Sequence, residues 1–397
     1  MSALKIAENI YWVGAVDWQI RDFHGYSTYE GSTYNAYLIL DEKITLIDTV
    51  KDKLYDQFIS NISQVIDPKK IDIVISNHTE MDHTGSLPRL MHLIGKDKPI
   101  YCSKMGKKNL SLHFGDSLYY IPVADGDKLS IGKRKLMFIE TRMLHWPDSM
   151  FTYLPEEKIL FSSDAFGEHY ATLKRFDYEV NEEELFRQFQ KYYANILLPY
   201  SHLILKLVER IKDLKLEFNM ICPDHGVIWT KHIGKIMDLY VKWAKQKPQK
   251  KALVVYDTMW HSTEKMAEAI AEGIIKEDVE VKVMSLKAWH RSDIITELMD
   301  AGGMLVGSPT LNNNMFPTIS DFLTYMKGLR PQNKLGAAFG SYGWSGEAPK
   351  KVEEFLKEAK CEIISSPLKI QYVPNAEALK QCENFGKQMA DKLKEIC

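Results

Sequence analysis

The segment IDIVISNHTEMDH, residues 71–83, places four potential metal ligands directly behind a short apolar run. The run over 71–76 is rich in β-branched residues and predicts a buried strand, so the ligands lie on the loop at its carboxyl end. Imidazole and carboxylate groups suit zinc, manganese or iron. On such a loop, residues 78, 80 and 82 can point to one side while the adjacent Asp82 and His83 diverge, so one turn can serve two ions. Taken alone, the segment is also compatible with ordinary polar loop residues.

Three later segments each add one ligand-type residue at a loop or a strand end. His145 lies in MLHWPDS, Asp164 ends the run KILFSSD, and His225 lies in ICPDHG. Each of them alone is compatible with an ordinary loop, cap or turn residue. Together with 78–83 they predict a metal centre at the ends of strands, where α/β proteins place their chemistry.

Strands and helices surround these ligands in the first half of the chain. Apolar or alternating runs predict strands, and an apolar face at i, i+3, i+4 spacing predicts helices. The predicted strands cover 33–40, 43–50, 71–76, 135–141, 150–155 and 158–165, and the predicted helices cover 53–65 and 182–213.

Composition limits the possible partners. The 397 residues predict two domains, since a domain holds roughly 100–200 residues. With 51 basic and 53 acidic residues and a formal net charge of -2, no global field attracts nucleic acid or an anionic membrane. The five cysteines are scattered and never spaced as C-x-x-C, which argues against disulfides and cysteine-ligated metals. No export signal or membrane-spanning run is recognisable, so we expect a cytoplasmic protein.

A polar, basic stretch at 245–251, KQKPQKK, marks the expected domain boundary. We therefore predict one domain over residues 1–249 and a second over 250–397. In the second, the runs ALVVYDT, VEVKVMSL, GGMLVGSPT and KLGAAFGSYG are separated by helical segments. This alternation is typical of βαβ units and predicts a doubly wound parallel sheet.

Three loops that follow strands of the second domain form a candidate cofactor site. The first leads into a helix start with Ser and Thr, where exposed backbone N–H groups and the helix dipole suit a phosphate, although an ordinary N-cap is the simpler reading. Aromatic residues in these loops can flank a planar ring, and glycines let the backbone approach it. No Walker lysine motif and no G-x-G-x-x-G follows the first strand, which disfavours ATP and NAD. The candidate residues are Thr258, Met259, Trp260, Ser262 and Thr263, then Ser308, Pro309, Thr310 and Asn313, and finally Ser341, Tyr342, Gly343, Trp344 and Gly346.

The order H-x-E-x-D-H, then H, D and H, resembles the metallo-β-lactamase superfamily, and Glu80 in place of a second histidine resembles the flavodiiron proteins. The resemblance implies an N-terminal αββα sandwich with two non-haem irons and a C-terminal flavodoxin-like domain with FMN. A carboxylate in place of an imidazole adds a hard oxygen donor and negative charge, which favours iron over zinc. The implied ligands are His78, Glu80 and His145 for one iron, Asp82, His83 and His225 for the other, and Asp164 as the bridge between them.

The resemblance also implies a reaction and its partners. Electrons pass from an external donor through FMN to the diiron site, which reduces dioxygen to water or nitric oxide to nitrous oxide. His24, Tyr26 and Tyr193 resemble pocket positions that can donate protons or hydrogen bonds, although packing or capping explains each equally well. The implied donor is rubredoxin or a reduced deazaflavin, and the implied assembly is a head-to-tail homodimer or a tetramer.

Two other function classes remain open on the sequence. A zinc hydrolase with a tethered flavodoxin domain fits the same ligand order, but Glu80 argues against it. A gas sensor or electron carrier would hold both cofactors and turn over slowly. The sequence does not rank O2 against NO, because both need the same ligands.

Overall fold

The computed structural model describes residues 2–397, which form two compact units. The N-terminal unit comprises the residues up to His24, Thr28–Tyr192 and His202–Val241. The C-terminal unit comprises Lys242–Cys397 and two short segments from the first half of the chain, Gly25–Ser27 and Tyr193–Ser201. The units part after Val241, within the helix Ile233–Ala244, whereas the division predicted from composition lies at 249/250.

The N-terminal unit contains a seven-stranded and a five-stranded sheet, with strand orders β1-β2-β7-β8-β9-β10-β11 and β12-β13-β14-β15-β16. The strands of the first half are β1 (Leu4–Ala7), β2 (Ile10–Trp12), β3 (Ala15–Asp17), β4 (Asp22–Phe23), β5 (Tyr26–Ser27), β6 (Ser32–Tyr34), β7 (Tyr37–Ile39), β8 (Thr45–Ile47), β9 (Ile73–Ser76), β10 (Pro99–Ser103), β11 (Tyr119–Val123), β12 (Lys128–Ser130), β13 (Lys135–Glu140), β14 (Met150–Leu154), β15 (Ile159–Phe161) and β16 (Met220–Cys222). Its helices are α1 (Tyr55–Ser63), α2 (Met81–Thr84), α3 (Leu87–Ile94), α4 (Lys104–Phe114), α5 (Glu182–Tyr192), α6 (Ser201–Asp213) and α7 (Ile233–Ala244).

The two sheets pack face to face, as the alternation along β9 illustrates. Ile73 and Ile75 point into a core cluster that includes Phe138 and Phe161 of the five-stranded sheet. Val74, between them, points to the opposite face, into a cluster with Phe58 of α1 and other helical residues. Side chains of a strand alternate between its faces, so β9 is buried on both sides and reads as a continuous apolar run.

The strand registers bring the ligand-bearing segments together. Strand β15 pairs in parallel with β16, with Phe161 opposite Cys222, so the segments that lead to Asp164 and His225 leave the sheet side by side. Strand β9 ends at Ser76, just before His78, in the facing sheet.

The helix predicted over 182–213 is interrupted. It consists of α5 and α6, separated by a π-helical turn at Tyr193–Leu197 and a 3-10 turn at Leu198–Tyr200. Pro199 lies in the second turn, where it has no N–H to donate to a helix. The intervening residues belong to the C-terminal unit, where they pack on a later helix, and this tertiary contact outweighs the local helical pattern.

The C-terminal unit is a parallel sheet of order β18-β17-β19-β22-β23, with β24 also paired to β22, which confirms the predicted doubly wound sheet. Its strands are β17 (Gln249–Tyr256), β18 (Glu280–Ser285), β19 (Ala301–Gly307), β20 (Thr310–Leu311), β21 (Asn314–Met315), β22 (Leu335–Tyr342), β23 (Glu362–Ile363) and β24 (Leu368–Gln371). Its helices are α8 (Ser262–Ile275), α9 (Arg291–Asp300), α10 (Pro317–Leu329), α11 (Ala348–Glu358) and α12 (Ala376–Ile396). Within the described chain, no helix combines the length and apolar character needed to cross a bilayer.

Candidate metal centre and cofactor cleft

The ligand segment after β9 changes conformation in its middle. Glu80 is extended, with φ -62° and ψ 149°, and α2 begins at the next residue. His78 and Glu80 therefore project to one side with strand-like spacing, while Asp82 and His83 are redirected by the helical turn. Asp82 therefore joins His83 in the second cluster, and it does not share the side of His78 and Glu80 as the strand-like spacing of 78, 80 and 82 predicted, because the helical turn begins at Met81.

The first ligand cluster comprises His78, Glu80, His145 and one oxygen of Asp164. The Nε2 atoms of His78 and His145 lie 3.4 and 3.3 Å from Oε2 of Glu80. The same two nitrogens lie 3.4 and 3.2 Å from Oδ2 of Asp164. Four ligand atoms thus converge on one point.

The second cluster comprises Asp82, His83 and His225. Nε2 of His83 lies 3.4 Å from Oδ1 of Asp82, and Nε2 of His225 lies 3.3 Å from Oδ2 of Asp82. Oδ1 of Asp164 faces this cluster, at 3.2 Å from His83 and 3.3 Å from His225. Asp164 therefore presents one carboxylate oxygen to each cluster, as a bridging ligand must.

The chemistry of this donor set fits two metal cations. Both carboxylate oxygens of Asp82, both ring nitrogens of His83 and Oδ2 of Asp164 are buried and have no hydrogen-bond partner within residues 2–397. Such atoms are costly to bury unless they are paired or bind a metal. Burial acts to lower the pKa of His78, but hydrogen bonds to Asp148 and Glu80 raise it to about 10. The neighbouring carboxylates thus favour a positive charge beside them, which a metal cation can supply in place of a proton on His78.

Two of the metal-facing histidines are oriented by groups behind them. Asp148 is buried, and its Oδ2 lies 3.0 Å from Nδ1 of His78 while it accepts hydrogen bonds from N and Oγ1 of Thr79, each at 2.8 Å. Nδ1 of His225 lies 2.8 Å from the carbonyl oxygen of Thr33. Outer contacts of this kind fix the tautomer of a metal-binding histidine, so that Nε2 faces the metal. The sequence pattern did not identify Asp148 or Thr33.

The three predicted pocket residues occupy different positions. Nε2 of His24 lies 2.9 Å from Oε1 of Glu80, and the His24 side chain is 70% exposed. Tyr26 is buried and belongs to the C-terminal unit. Tyr193 belongs to the same unit, where its hydroxyl lies 3.2 Å from Oγ of Ser201 and its ring packs on Trp243.

The tyrosine hydroxyl that reaches the ligands is that of Tyr192, which donates a hydrogen bond to Oδ1 of Asp164 at 3.1 Å. The chain leaves the N-terminal unit between the two tyrosines, so Tyr193 belongs to the C-terminal unit, and its role at the pocket stays a prediction. The helical spacing of residues in α5 is a signal that could have identified Tyr192, because Tyr192 lies on the same buried face as Leu185, Gln188 and Phe189.

The C-terminal unit has a cleft of about 460 Å³ where the predicted loops meet. This volume is in the usual range for cofactor sites. Strands β17, β19 and β22 end together here, with Tyr256 opposite Gly307 and Gly307 opposite Phe339. The predicted residues that line the cleft are Met259, Trp260, Ser262, Pro309, Thr310, Asn313, Ser341, Tyr342, Gly343 and Trp344. Leu311, Asn312 and Ser345 of the same predicted loops also line the cleft, and the lining residues that the sequence pattern did not identify are Tyr372 and Val373.

Four predicted residues lie outside this lining. Oγ1 of Thr263 lies 2.9 Å from Oγ of Ser341, and Oγ of Ser308 accepts a hydrogen bond from N of Phe316. A Cβ on Gly346 would approach the Tyr342 ring at 3.1 Å. The fourth, Thr258, is buried, and its Oγ1 has no hydrogen-bond partner in the described chain. The contacts of Thr263, Ser308 and Gly346 therefore support the loops from behind the cleft wall, whereas the Thr258 hydroxyl makes no such contact.

One glycine in this region is required by a close backbone approach that the pattern did not predict. A Cβ on Gly340 would lie 1.9 Å from the carbonyl oxygen of Ser308. The ends of β19 and β22 could not come together with any larger residue there. At Gly343, in contrast, a Cβ would make an ordinary 3.4 Å contact with Tyr372.

Comparison with known proteins places both halves of the chain. Residues 33–226 match the model of the ODP family beta lactamase, and residues 254–386 match the flavodoxin model. A nitric oxide reductase of Moorella thermoacetica is 46% identical over 98% of this chain and 98% of that protein. The structure of rubredoxin oxygen:oxidoreductase from Desulfovibrio gigas superposes with a TM-score of 0.97, at 44% identity over 99% of both chains. The flavodiiron protein of Giardia intestinalis superposes with a TM-score of 0.96, at 36% identity over 100% of this chain and 98% of that one. The predicted fold of both halves is confirmed.

Proposed function

This chain belongs to the flavodiiron protein family, and on that premise we propose that it reduces dioxygen to water, nitric oxide to nitrous oxide, or both. Electrons pass from an external donor through FMN to a non-haem diiron site. The observation that carries the proposal is the position of Asp164, whose two oxygens face two separate ligand clusters. When bound, the irons supply open coordination positions and two electrons and FMN supplies two more, which together reduce O2 to two waters.

The assignment of ligands follows the two clusters. His78, Glu80 and His145 would hold one iron, Asp82, His83 and His225 would hold the other, and Asp164 would offer one carboxylate oxygen to each. A zinc hydrolase is not favoured, since relatives that align along nearly the whole chain carry the names of gas reductases. The hard oxygen donor of Glu80 also favours iron.

Two side chains at the ligands can hold or move protons. The Tyr192 hydroxyl donates to Oδ1 of Asp164 and orients this carboxylate for both clusters. Nε2 of His24 meets Oε1 of Glu80 on one side, while the ring is mostly exposed on the other. His24 therefore connects solvent with a ligand of the first cluster, which suits proton delivery to reduced oxygen.

The cleft residues hold FMN through uncharged groups. Residues 257–263 contain no Lys or Arg, and no side chain caps the amino end of α8, whose first amides remain available for a phosphate. Thr258 and Ser262 add hydroxyl groups next to these amides. Trp260 and Trp344, at 86% and 88% exposure, lie at the cleft, where a flavin ring can cover them.

The partners follow from the family and from the cleft. We place a rubredoxin-type protein as the electron donor, with a reduced deazaflavin as the second candidate. The assembly is a head-to-tail homodimer or a tetramer, in which a second copy covers the aromatic surface at the cleft that the flavin leaves exposed. Sedimentation that shows an active monomer would contradict this assembly. The free thiols of all five cysteines suit a reducing cytoplasm.

Gas consumption by protein of known cofactor content tests the function. Purified protein is assayed for iron and FMN and then mixed anaerobically, after chemical reduction, with O2 or NO. We expect flavin oxidation with either gas, much faster than in a Glu80→Ala, His83→Ala double variant. The matched control is His202→Ala, an exposed histidine on α6, which we expect to react like wild type.

Metal content and rate separate the alternatives. A colourless zinc protein without gas consumption would contradict the proposal. A protein that holds iron and FMN but oxidises no faster than the double variant would be a sensor or carrier.

A further inference from the structure

The loop between β17 and α8 is built around a buried carboxylate. Asp257, directly after β17, is 1% exposed. Its Oδ1 accepts a hydrogen bond from the backbone N of Thr258 at 2.6 Å, and its Oδ2 accepts one from Oγ1 of Thr318 at 2.5 Å. The only charged nitrogen that reaches it within the described chain is Nζ of Lys287, at 3.9 Å from Oδ1.

A negative charge at this position is unexpected beside an anion site. A buried carboxylate is costly unless hydrogen bonds or a cation compensate it, and it repels a phosphate nearby. The two short hydrogen bonds keep Asp257 in place, so its contribution must be geometric. One bond holds the backbone of the next residue in the loop, and the other joins the loop to the first turn of α10.

The hydrogen bond to Asp257 fixes the orientation of the neighbouring Thr258. Its backbone N–H is turned towards Asp257, while its hydroxyl is buried without a hydrogen-bond partner in the described residues. A buried hydroxyl normally finds a partner. In the same loop, the N-cap residue His261 has a left-handed φ of 64° and supplies no side-chain cap to α8. The loop thus keeps a hydroxyl and helix-end amides available for a ligand.

We propose that Asp257 is a positioning residue that shapes the loop 258–263 for the phosphate of the flavin, and so selects FMN over riboflavin. The inference rests on the proposed function, because it assumes that the cleft holds a flavin. Asp257 acts through the backbone of Thr258 and does not touch the phosphate itself. The recognised group is a phosphate monoester, bound by hydroxyl and amide donors without Lys or Arg in the loop.

Flavin titration of the full-length protein tests this inference. The flavin is removed from the holoprotein, and the apoprotein is titrated with FMN and with riboflavin by the quenching of flavin fluorescence. For Asp257→Ala we expect the Kd for FMN to rise about tenfold or more, while the Kd for riboflavin stays within about threefold. Iron content and thermal unfolding report on the integrity of the rest of the chain.

A conservative variant separates the effect of the Asp257 hydrogen bonds from the effect of its negative charge. In Asp257→Asn, the amide oxygen can still accept from Thr258 N, and the amide nitrogen can donate to Oγ1 of Thr318. We expect FMN to bind this variant within about threefold of wild type, or more tightly since a repelling charge is gone. The matched control is Asp391→Ala, a surface carboxylate on α12, with no expected change in either Kd.

Two further variants each remove a single hydroxyl group, so they test the inference even if Asp257→Ala fails to fold. Thr318→Val removes one of the two hydrogen bonds from an exposed position, and Thr258→Val removes the buried hydroxyl. We expect each to weaken FMN binding by about threefold to tenfold without affecting riboflavin. Equal losses for both flavins, no loss in any variant, or an Asn variant as weak as the Ala variant would each overturn the inference. Wild-type apoprotein that binds neither flavin would instead contradict the proposed function.

Discussion

The metal centre and the flavin cleft both lie at the ends of sheet strands, but the first is built from ionisable residues and the second from uncharged ones. The metal centre consists of ionisable side chains, of which Asp164 is 1% exposed and Glu80 8%. The cleft is lined by uncharged loops, and Trp260 and Trp344 are almost fully exposed. The first site therefore depends on cations to compensate buried charge, whereas the second offers surface that a planar ligand covers.

This difference predicts how each site responds to change. Loss of a charged group from the metal centre leaves other buried charges uncompensated, and the effect is large. Loss of one wall residue from the cleft removes a single contact among many, and the effect is small.

The largest effect is expected at Asp164, the carboxylate that faces both clusters. Asp164→Asn removes the charge and one of the two oxygen donors, so one cluster loses its Asp164 ligand and the other keeps only a neutral amide oxygen. We expect both irons to be lost and gas reduction to fall by more than about 100-fold, since even outer-contact mutations cost 10–100-fold. FMN content, measured by absorbance, should not change, while iron is measured by elemental analysis.

The matched control for this variant is Asp238→Asn on α7, an exposed carboxylate of the same unit. It should retain both irons and full activity. An Asp164→Asn protein with wild-type iron content would show that the carboxylate does not bridge.

A smaller effect is expected at Asp148, behind His78. Asp148→Asn keeps the size of the side chain but weakens the contact with Nδ1 of His78, so the ring loses its fixed orientation. We expect about 10–100-fold weaker iron binding at the first cluster, and iron near one per chain at limiting metal. Competition with a chelator measures the affinity. Equal loss of both irons would indicate general damage to the fold instead.

The next effect distinguishes two adjacent tyrosines. Tyr192→Phe removes the hydrogen bond to Asp164, and a hydrogen bond to a charged group contributes about 1.5–3 kcal/mol. We expect activity to fall by roughly tenfold with both irons retained. Tyr193→Phe is the control, because its hydroxyl lies at Ser201, and it should remain close to wild type in gas consumption. The reverse ranking would support the prediction that Tyr193 acts at the pocket.

The sequence was most informative where chemistry restricts the choice of residue. Only a few residue types bind iron, so His78, Glu80, Asp82 and the others stood out by type and spacing, and the structure brings all seven candidates together. The parallel sheet of the second half was also predictable, because strands buried on both faces are continuous apolar runs.

The sequence was less informative where tertiary contacts decide. Asp148 is an ordinary loop carboxylate until the fold places it behind His78. Tyr372 and Val373 reach the cleft only because β24 pairs with β22, a long-range event without a local signal. The break after Tyr192 has the same origin. The turn at Tyr193–Leu197 packs on α9, which lies about 100 residues later in the sequence but belongs to the same C-terminal unit.

The smallest effect is expected at the cleft wall, and it tests whether the exposed aromatic residues are there for the flavin. Trp344→Ala removes one ring that a flavin can stack on, and an aromatic pair contributes about 0.5–1.5 kcal/mol, so the Kd for FMN should rise about threefold to tenfold. Riboflavin should lose as much as FMN, because the ring system is common to both, in contrast to the selective loss expected for Asp257→Ala. The control is Trp289→Ala, a partly exposed tryptophan of the same unit that lies outside the cleft lining and packs against Lys282. If Trp344→Ala left both affinities unchanged, the exposed Trp344 ring would contact a protein partner and not the flavin. The metal centre would then still depend on buried charge, but the cleft would not bind its ligand by stacking on this ring.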